Sequence, residues 1–248
     1  VKTAQFQRFG YGDKVVGEGR LRVPEKFESG GGGEFDYASY LGKDGILYVL
    51  EQGKVEIISG GHGKPVKSFL FGLKRKFIES VSSSVSEPEA SLLSGLVGGG
   101  KQSLGKVWLE RFQNAGVMHI VVLSGYNVTI VADTVIKIFG FILPATLSMF
   151  FGVVAIFLFA LMTGGSATVV RASIMASIVI LARYTKREYG VTRALIIAGL
   201  AMIIHNPLIV AFDPSFQLSF LATVALIYVS PVIESKLSFV TERFHFRE

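Results

Sequence analysis

The sequence predicts an α+β membrane protein, with an N-terminal OB-like β-module followed by a bundle of about five transmembrane α-helices. Three observations carry that expectation. Half of the 248 residues are hydrophobic and the mean hydropathy is +0.50, too high for an ordinary soluble domain. Charge is unevenly spread, since residues 1–115 hold 16 Lys/Arg and 13 Asp/Glu while residues 116–248 hold 9 and 6. From Phe112 to Ala132 no charged residue occurs, a run long enough to cross a bilayer. These shifts divide the chain into a β-module over 1–62, amphipathic or interfacial helices over 63–115 and a transmembrane helical domain over 116–248.

Composition also excludes chemistry. There is no cysteine, so disulfides, Cys-ligated zinc and thiol catalysis are ruled out. His62, His119, His205 and His245 lie far apart without HxH, HxxxH or HxxE spacing, so no metal or other cofactor is expected. A net charge of +6 suits a polyanion or anionic lipid, although so modest an excess is common. The chain opens on Val1 with no signal-peptide pattern and is expected to be cut from a longer protein.

Taking the chain in order, residues 1–23 alternate polar and apolar around Gly10, Gly12, Gly17 and Gly19, which reads as short strands with bulges or turns. Gly30–Gly33 marks a loop. GEFDYASYLGKDGI reads as a short helix that buries Phe35, Tyr40 and Leu41 and ends at Gly45. Residues 45–59 read as two strands about a turn at Gln52-Gly53. Many short strands in a small basic module point to a partly open barrel that binds single strands; a plain β-module with a solvated basic surface fits equally well. Residues 64–77 combine five Lys/Arg with Phe69, Leu70, Phe71, Leu73 and Phe77, a basic amphipathic helix for a membrane surface or a polyanion. Its plainer reading is a charged solvent face over a packed apolar one. Glu87-Pro88-Glu89 opens the next helix. Gly98–Gly100 lacks the Gly-Lys-Ser/Thr of a phosphate-binding loop and reads as a helix break.

The first apolar run, Ala115–Ala132 (AGVMHIVVLSGYNVTIVA), carries His119, Ser124, Asn127 and Thr129. Polar groups in a span are costly unless they face protein or water. Ser124 and Asn127 share a helical face, whereas His119 lies on another, so the stripe suits a cavity lining or helix interface better than a Ser/His pair. No charge occurs between Lys137 and Arg171, enough for a full span to about Thr163 before a turn at Gly164-Gly165. Further spans follow at 166–182, at 194–212, interrupted by His205-Asn206-Pro207, and at 214–233. Arg171, near the start of its span, either snorkels to the interface or contacts a phosphate bidentately. Gln217 and Ser219 either join helices or line a passage.

Several segments resemble one family. AGVMHIVVLSGYNV is similar to the signature aGlxHllaiSGlHi of ComEC-type competence proteins, the DNA-uptake channels of the bacterial inner membrane. Gly116, His119, Ser124 and Gly125 are in register, and Asn127 stands where the pattern has its second His. GEFDYASYLGKDGI resembles ggFDyarYLarrGI, and EPEASLLSGLVGGGKQSL, TGGSATVVRASIMA and DPSFQLSFLATVALIY resemble later family segments in family order. The resemblance implies a channel passing single-stranded DNA across the bacterial inner (cell) membrane in natural transformation. Its partners would be single-stranded DNA, the lipid bilayer and other DNA-uptake components. The nuclease-like metallo-β-lactamase domain of many members is not visible here, so no enzymatic role and no catalytic residue is expected. His119, Ser124, Gly125, Asn127, Arg171 and Gln217 are the passage-lining candidates. A membrane-embedded hydrolase pairing Ser124 with His205, or a small-solute transporter, are the alternatives. The basic loop 183–193 is expected in the cytoplasm, leaving the N-terminal module outside.

Overall fold

The computed structural model describes residues 9–28, 33–98, 105–116 and 125–236. β1 (Lys14–Arg22) and β4 (Val49–Ser59) pair antiparallel in one ribbon, and β2 (Phe27–Glu28) pairs with β3 (Glu34–Phe35) in a shorter one. Residues 45–59 therefore hold one strand, not two strands about a turn. Arg20 faces Glu51 and Glu18 faces Lys54, so Gln52 and Gly53 together oppose Gly19. That is a β-bulge, which draws on the same glycine signal as a turn but keeps the strand running. Among the described residues the strands form two separate pairs and do not close a barrel.

The ribbon is not basic either. Residues 1–62 hold eight Lys/Arg against nine Asp/Glu, and the positive excess sits in residues 63–115, with eight against four. Ribbon charges pair across strands, Arg22 with Glu51 at 3.5 Å and Lys26 with Glu34 at 3.8 Å.

The expected short helix is present as α1 (Tyr37–Gly42). Asp36 caps it, accepting from the Ser39 N–H at 3.0 Å and the Ser39 hydroxyl at 2.9 Å. Those bonds favour the ionised carboxyl and hold it below the usual aspartate value. The Ile46 N–H closes the other end on the Leu41 carbonyl, with Gly45 at φ +77°, a conformation that glycine adopts without strain. Phe35 and Tyr40 pack at 5.6 Å, and Phe27 lies 5.4 Å from Phe35; Phe35, Tyr40 and Leu41 are each half-buried, short of the full burial expected of them.

α2 (Pro65–Ser84) is followed by α3 (Glu89–Gly98) and α4 (Gly105–Asn114). In α2 the expected polarity is partly inverted. Leu70 is buried, with Lys67, Phe71 and Lys74 half-buried beside it, while Phe69 (71% exposed), Leu73 and Phe77 face outward. Burial lowers the Lys74 ammonium below the ordinary lysine value. Lys64, Arg75 and Lys76 are exposed beside these outward apolar rings, so the outer surface of α2 mixes cations with apolar side chains, as suits a membrane interface.

The remaining helices are α5 (Gly125–Gly140), α6 (Ala145–Met162), α7 (Ala167–Tyr184), α8 (Val191–His205), α9 (Ile209–Phe212) and α10 (Pro214–Tyr228). Among the described residues three stretches are long and apolar enough to cross a membrane: Ala145–Met162, Ala167–Tyr184 and Pro214–Lys236. α8 is apolar but shorter, ending where His205-Asn206-Pro207 breaks the run, since Pro disfavours helix in the residue before it. The first expected span lies partly outside the described residues. Its helix runs on past Ala132 to Gly140, taking in Asp133 and Lys137. Asp133 pairs with Arg183 at 3.8 Å, so the charge that ended the run in sequence is matched across helices.

α5, α6 and α7 enclose a core of Val128, Ala132, Ile156, Phe159, Val169, Ala172 and Ile180, and α8 and α10 pack on α7. Gly164 and Gly165 turn the chain between α6 and α7 at φ +92° and +63°, as expected. Gly152 allows a close approach of α5 and α6: a Cβ there would meet Ile136 Cγ1 at 2.5 Å and Cδ1 at 2.8 Å. Gly152→Ala should therefore lower the unfolding temperature of the purified protein, by an overpacking cost of about 1–3 kcal/mol. Ile136→Ala in the same chain should restore part of the loss, and thermal unfolding of the single and double variants checks both.

Candidate functional site

A group of polar side chains converges where the N-terminal module meets one end of the bundle. A cavity of about 540 Å³ lies there, lined by Tyr40 and Lys43 beside α1, Gly165 and Ser166 at the α7 start, and His205 and Asp213. Lys43 Nζ lies 3.4 Å from Asp213, 2.8 Å from Asp44 and 4.8 Å from the Tyr40 ring. Both partners of the Lys43–Asp213 pair are nearly buried, their side chains 8% and 10% exposed. Burial alone would depress the Lys43 ammonium, but the Asp44 hydrogen bond and the Asp213 charge outweigh it and raise the pKa above the ordinary lysine value.

Asp213 also caps α10, its Oδ1 accepting from the Ser215 and Phe216 N–H groups at 2.9 and 3.3 Å. Asn206, in the break after α8, donates to the Lys43 carbonyl at 2.8 Å and accepts from the Leu208 N–H at 3.1 Å. Among the described residues, the Lys43–Asp213 ion pair and the Asn206–Lys43 hydrogen bond thus clamp the module to the bundle. The basic loop 185–190 lies beyond the opposite end of α7, about 27 Å away for an 18-residue helix.

Arg171 lies one turn inside α7. Its Nε donates to Ser219 of α10 at 2.7 Å, its Nη1 approaches Met175 Sδ at 3.5 Å, and the guanidinium lies 5.9 Å from the Phe220 ring centre. Nη2 has no hydrogen-bond acceptor among the described residues. Ser219 thus joins two helices. Gly125 lies beside the next residue, its added Cβ falling 3.2 Å from Ala172 Cβ. Arg171, Ser219 and Gly125, from three separate sequence segments, are therefore brought together around the first turns of α7.

The other candidates fall elsewhere. Asn127 is half-buried on α5. Gln217 is exposed and donates to the carbonyls of Val210 and Ala211 at 2.8 and 3.1 Å, stitching the α9–α10 corner and leaving Arg171 untouched. His119 and Ser124 lie outside the described residues. His205 lines the cavity, but no serine hydroxyl bonds to it among the described residues; Ser59 and His62 make an exposed 2.8 Å contact in the module. No metal-binding cluster occurs among the described residues.

Lys43, Asn206 and Asp213 were not singled out from sequence. Asp213-Pro214-Ser215 does carry a helix-start signal, an N-cap followed by Pro, but nothing local to Lys43 announces its partner.

Long apolar helices packed through small residues, with a polar β-rich module clamped to one end, define a multi-helix membrane protein. The chain belongs to the Competence protein family, whose model matches residues 96–246. It is also 24% identical over 205 residues to ComE operon protein 3 of Bacillus subtilis (strain 168). That alignment takes in 82% of this chain and 26% of the relative, so the chain spans about a quarter of the relative's length. No solved structure matches the chain.

Proposed function

We propose that this chain forms part of a channel that takes up single-stranded DNA across the bacterial inner membrane in natural transformation. The competence family and the operon name of the relative support a role in DNA uptake. The observation that carries the finer reading is Arg171, a guanidinium inside a membrane-length helix. Ser219 orients it, and among the described residues Nη2 has no acceptor, which leaves it for a phosphate oxygen. An intramembrane arginine is expensive and marks a pathway for its counter-charge, and the guanidinium matches a phosphate bidentately. Basic α2, with Arg75 and Lys76 exposed, would gather the backbone. The ribbon would belong to an OB-like module. The α5, α8 and flanking apolar segments would bring the spans to about five. No enzymatic step is assigned to the chain.

The test is uptake of labelled DNA at matched membrane levels. Arg171→Gln should lower uptake about tenfold or more, the scale of one lost charge-assisted contact, while Arg171→Lys retains part of it. Unchanged uptake with Arg171→Gln removes the carrying observation. Binding of the full chain to single strands should fall steeply between low and moderate salt, through counterion release.

The same reading puts the module outside the cell membrane and the loop 183–193 in the cytoplasm, at opposite ends of the bundle. The chain has no native cysteine, so single cysteines report cleanly. With an impermeant reagent in spheroplasts, Glu18→Cys should label and Thr185→Cys should not; the reverse pattern inverts the topology.

A further inference from the structure

A second feature lies at the other end of α7. A cavity of about 580 Å³ is lined there by Thr185, Arg187, Glu188, Tyr189, Gly190 and Arg193 above an apolar wall. Neither Arg187 nor Arg193 has an ion-pair or side-chain hydrogen-bond partner among the described residues, whereas Arg183 next to them is matched by Asp133. The Arg193 guanidinium folds over Gly190, where an added Cβ would stand 2.7 Å from Nε. Glu188 lines the same cavity and sets the one opposing charge there.

The wall continues into a larger apolar cavity of about 920 Å³, which shares Ile178, Leu181 and Ile197 with the first. Its α7 side runs through Val170, Ile174, Ile178 and Leu181 with Ser173 and Ser177 among them, Val153, Ile156, Phe157 and Ala160 of α6 add to the lining, and Tyr11, Lys67 and His205 supply its other polar groups. From Leu181 back to Val170 is about 16 Å along the helix, close to the depth of one leaflet, about 15 Å.

We infer that the two joined cavities form a binding site for an anionic glycerophospholipid, its phosphate held by Arg187 and Arg193 and one acyl chain lying in the groove between α6 and α7. Charge complementarity selects the anionic headgroup: two guanidiniums, unmatched among the described residues, stand at the end of a mostly apolar groove directly beyond a membrane-length helix, where basic residues recognise acidic lipid. The groove depth matches an acyl chain entering from that side. Arg187 and Arg193 are other residues than Arg171, and the proposal stands whether or not DNA passes through the bundle.

Native mass spectrometry of the detergent-purified full chain, titrated with phosphatidylglycerol or phosphatidylcholine, tests the assignment. The expected result is one phosphatidylglycerol that survives activation, with phosphatidylcholine retained at least tenfold less. Arg187→Gln with Arg193→Gln should cut phosphatidylglycerol retention about tenfold or more, given the strength of charge-assisted bonds. Ile197→Trp, which fills the shared wall and leaves both arginines in place, should also reduce it. Thermal unfolding of each variant guards against misfolding, and a variant that does not fold is replaced by Gly190→Leu, which displaces the Arg193 guanidinium. Equal retention of the two lipids, or retention unchanged in the arginine double variant, overturns the proposal. Displacement of the lipid by glycerol 3-phosphate at equal concentration would assign the arginines to free phosphate, and displacement by single-stranded DNA would assign them to nucleic acid. Either result also overturns it.

Discussion

Lys43→Met should loosen the N-terminal module from the bundle, at a cost of about 3 kcal/mol or more, because it leaves the nearly buried Asp213 carboxylate without its Lys43 partner. The cost comes chiefly from the abandoned charge. Lys43→Met combined with Asp213→Asn should therefore recover much of the loss, since an asparagine can still accept from the Ser215 and Phe216 N–H groups and keep α10 capped. Thermal unfolding of the wild type, both single variants and the double variant closes a double-mutant cycle. Additive losses would show that Lys43 and Asp213 do not act as a pair. The pH dependence has a definite sign. The folded pKa of Lys43 is raised above 10.5, so its contribution is fully present below that value and is lost as pH rises through the folded pKa. Lys43→Met should leave a protein whose stability falls less than the wild type's across that alkaline window.

Gly125→Leu should abolish DNA uptake, whereas Ser124→Ala should weaken it only in part. A Cβ at position 125 already stands 3.2 Å from Ala172 Cβ, so alanine asks for a shift of a few tenths of an ångström, while an isobutyl group forces α5 off α7. That would also displace the turn carrying Arg171. Small residues are what allow helices in a membrane to approach so closely. A hydrolase using Ser124 as nucleophile gives the opposite order, since loss of the hydroxyl removes the attacking atom. Uptake of labelled DNA by both variants at matched membrane levels decides. Complete loss with Ser124→Ala beside a tolerated Gly125→Leu would remove the channel reading.

Much of the helical part was legible because apolar run length and charge spacing are local properties. The spans at α6, α7 and α10, the Gly164-Gly165 turn and the break at Asn206-Pro207 all follow from residues within a few positions of each other. The same holds for α1, whose cap, aromatic faces and terminating Gly45 are contiguous. The β-module was less legible. A glycine in a strand marks a turn or a bulge with equal force, and only the pairing of Gly19 against Gln52 and Gly53 distinguishes them. An overall positive charge likewise says nothing of where the charge resides, and it resides in α2 and beyond instead of the ribbon.

By itself the sequence determined that this is a membrane protein of the competence type, through hydropathy and five motif segments in order. It also singled out Gly125 and Arg171, two residues that the fold brings to neighbouring positions. Only the tertiary structure decided what those residues meet. Ser219 reaches Arg171, Asp213 reaches Lys43, and Asp133 reaches Arg183 because of which helix ends come together. Partner choice over such chain separations is set by helix packing, and packing depends on close approaches such as Gly152 on Ile136. The unmatched arginines at the far end of α7 became visible in the same way. In sequence they are a basic loop, and in the fold they crown an apolar groove.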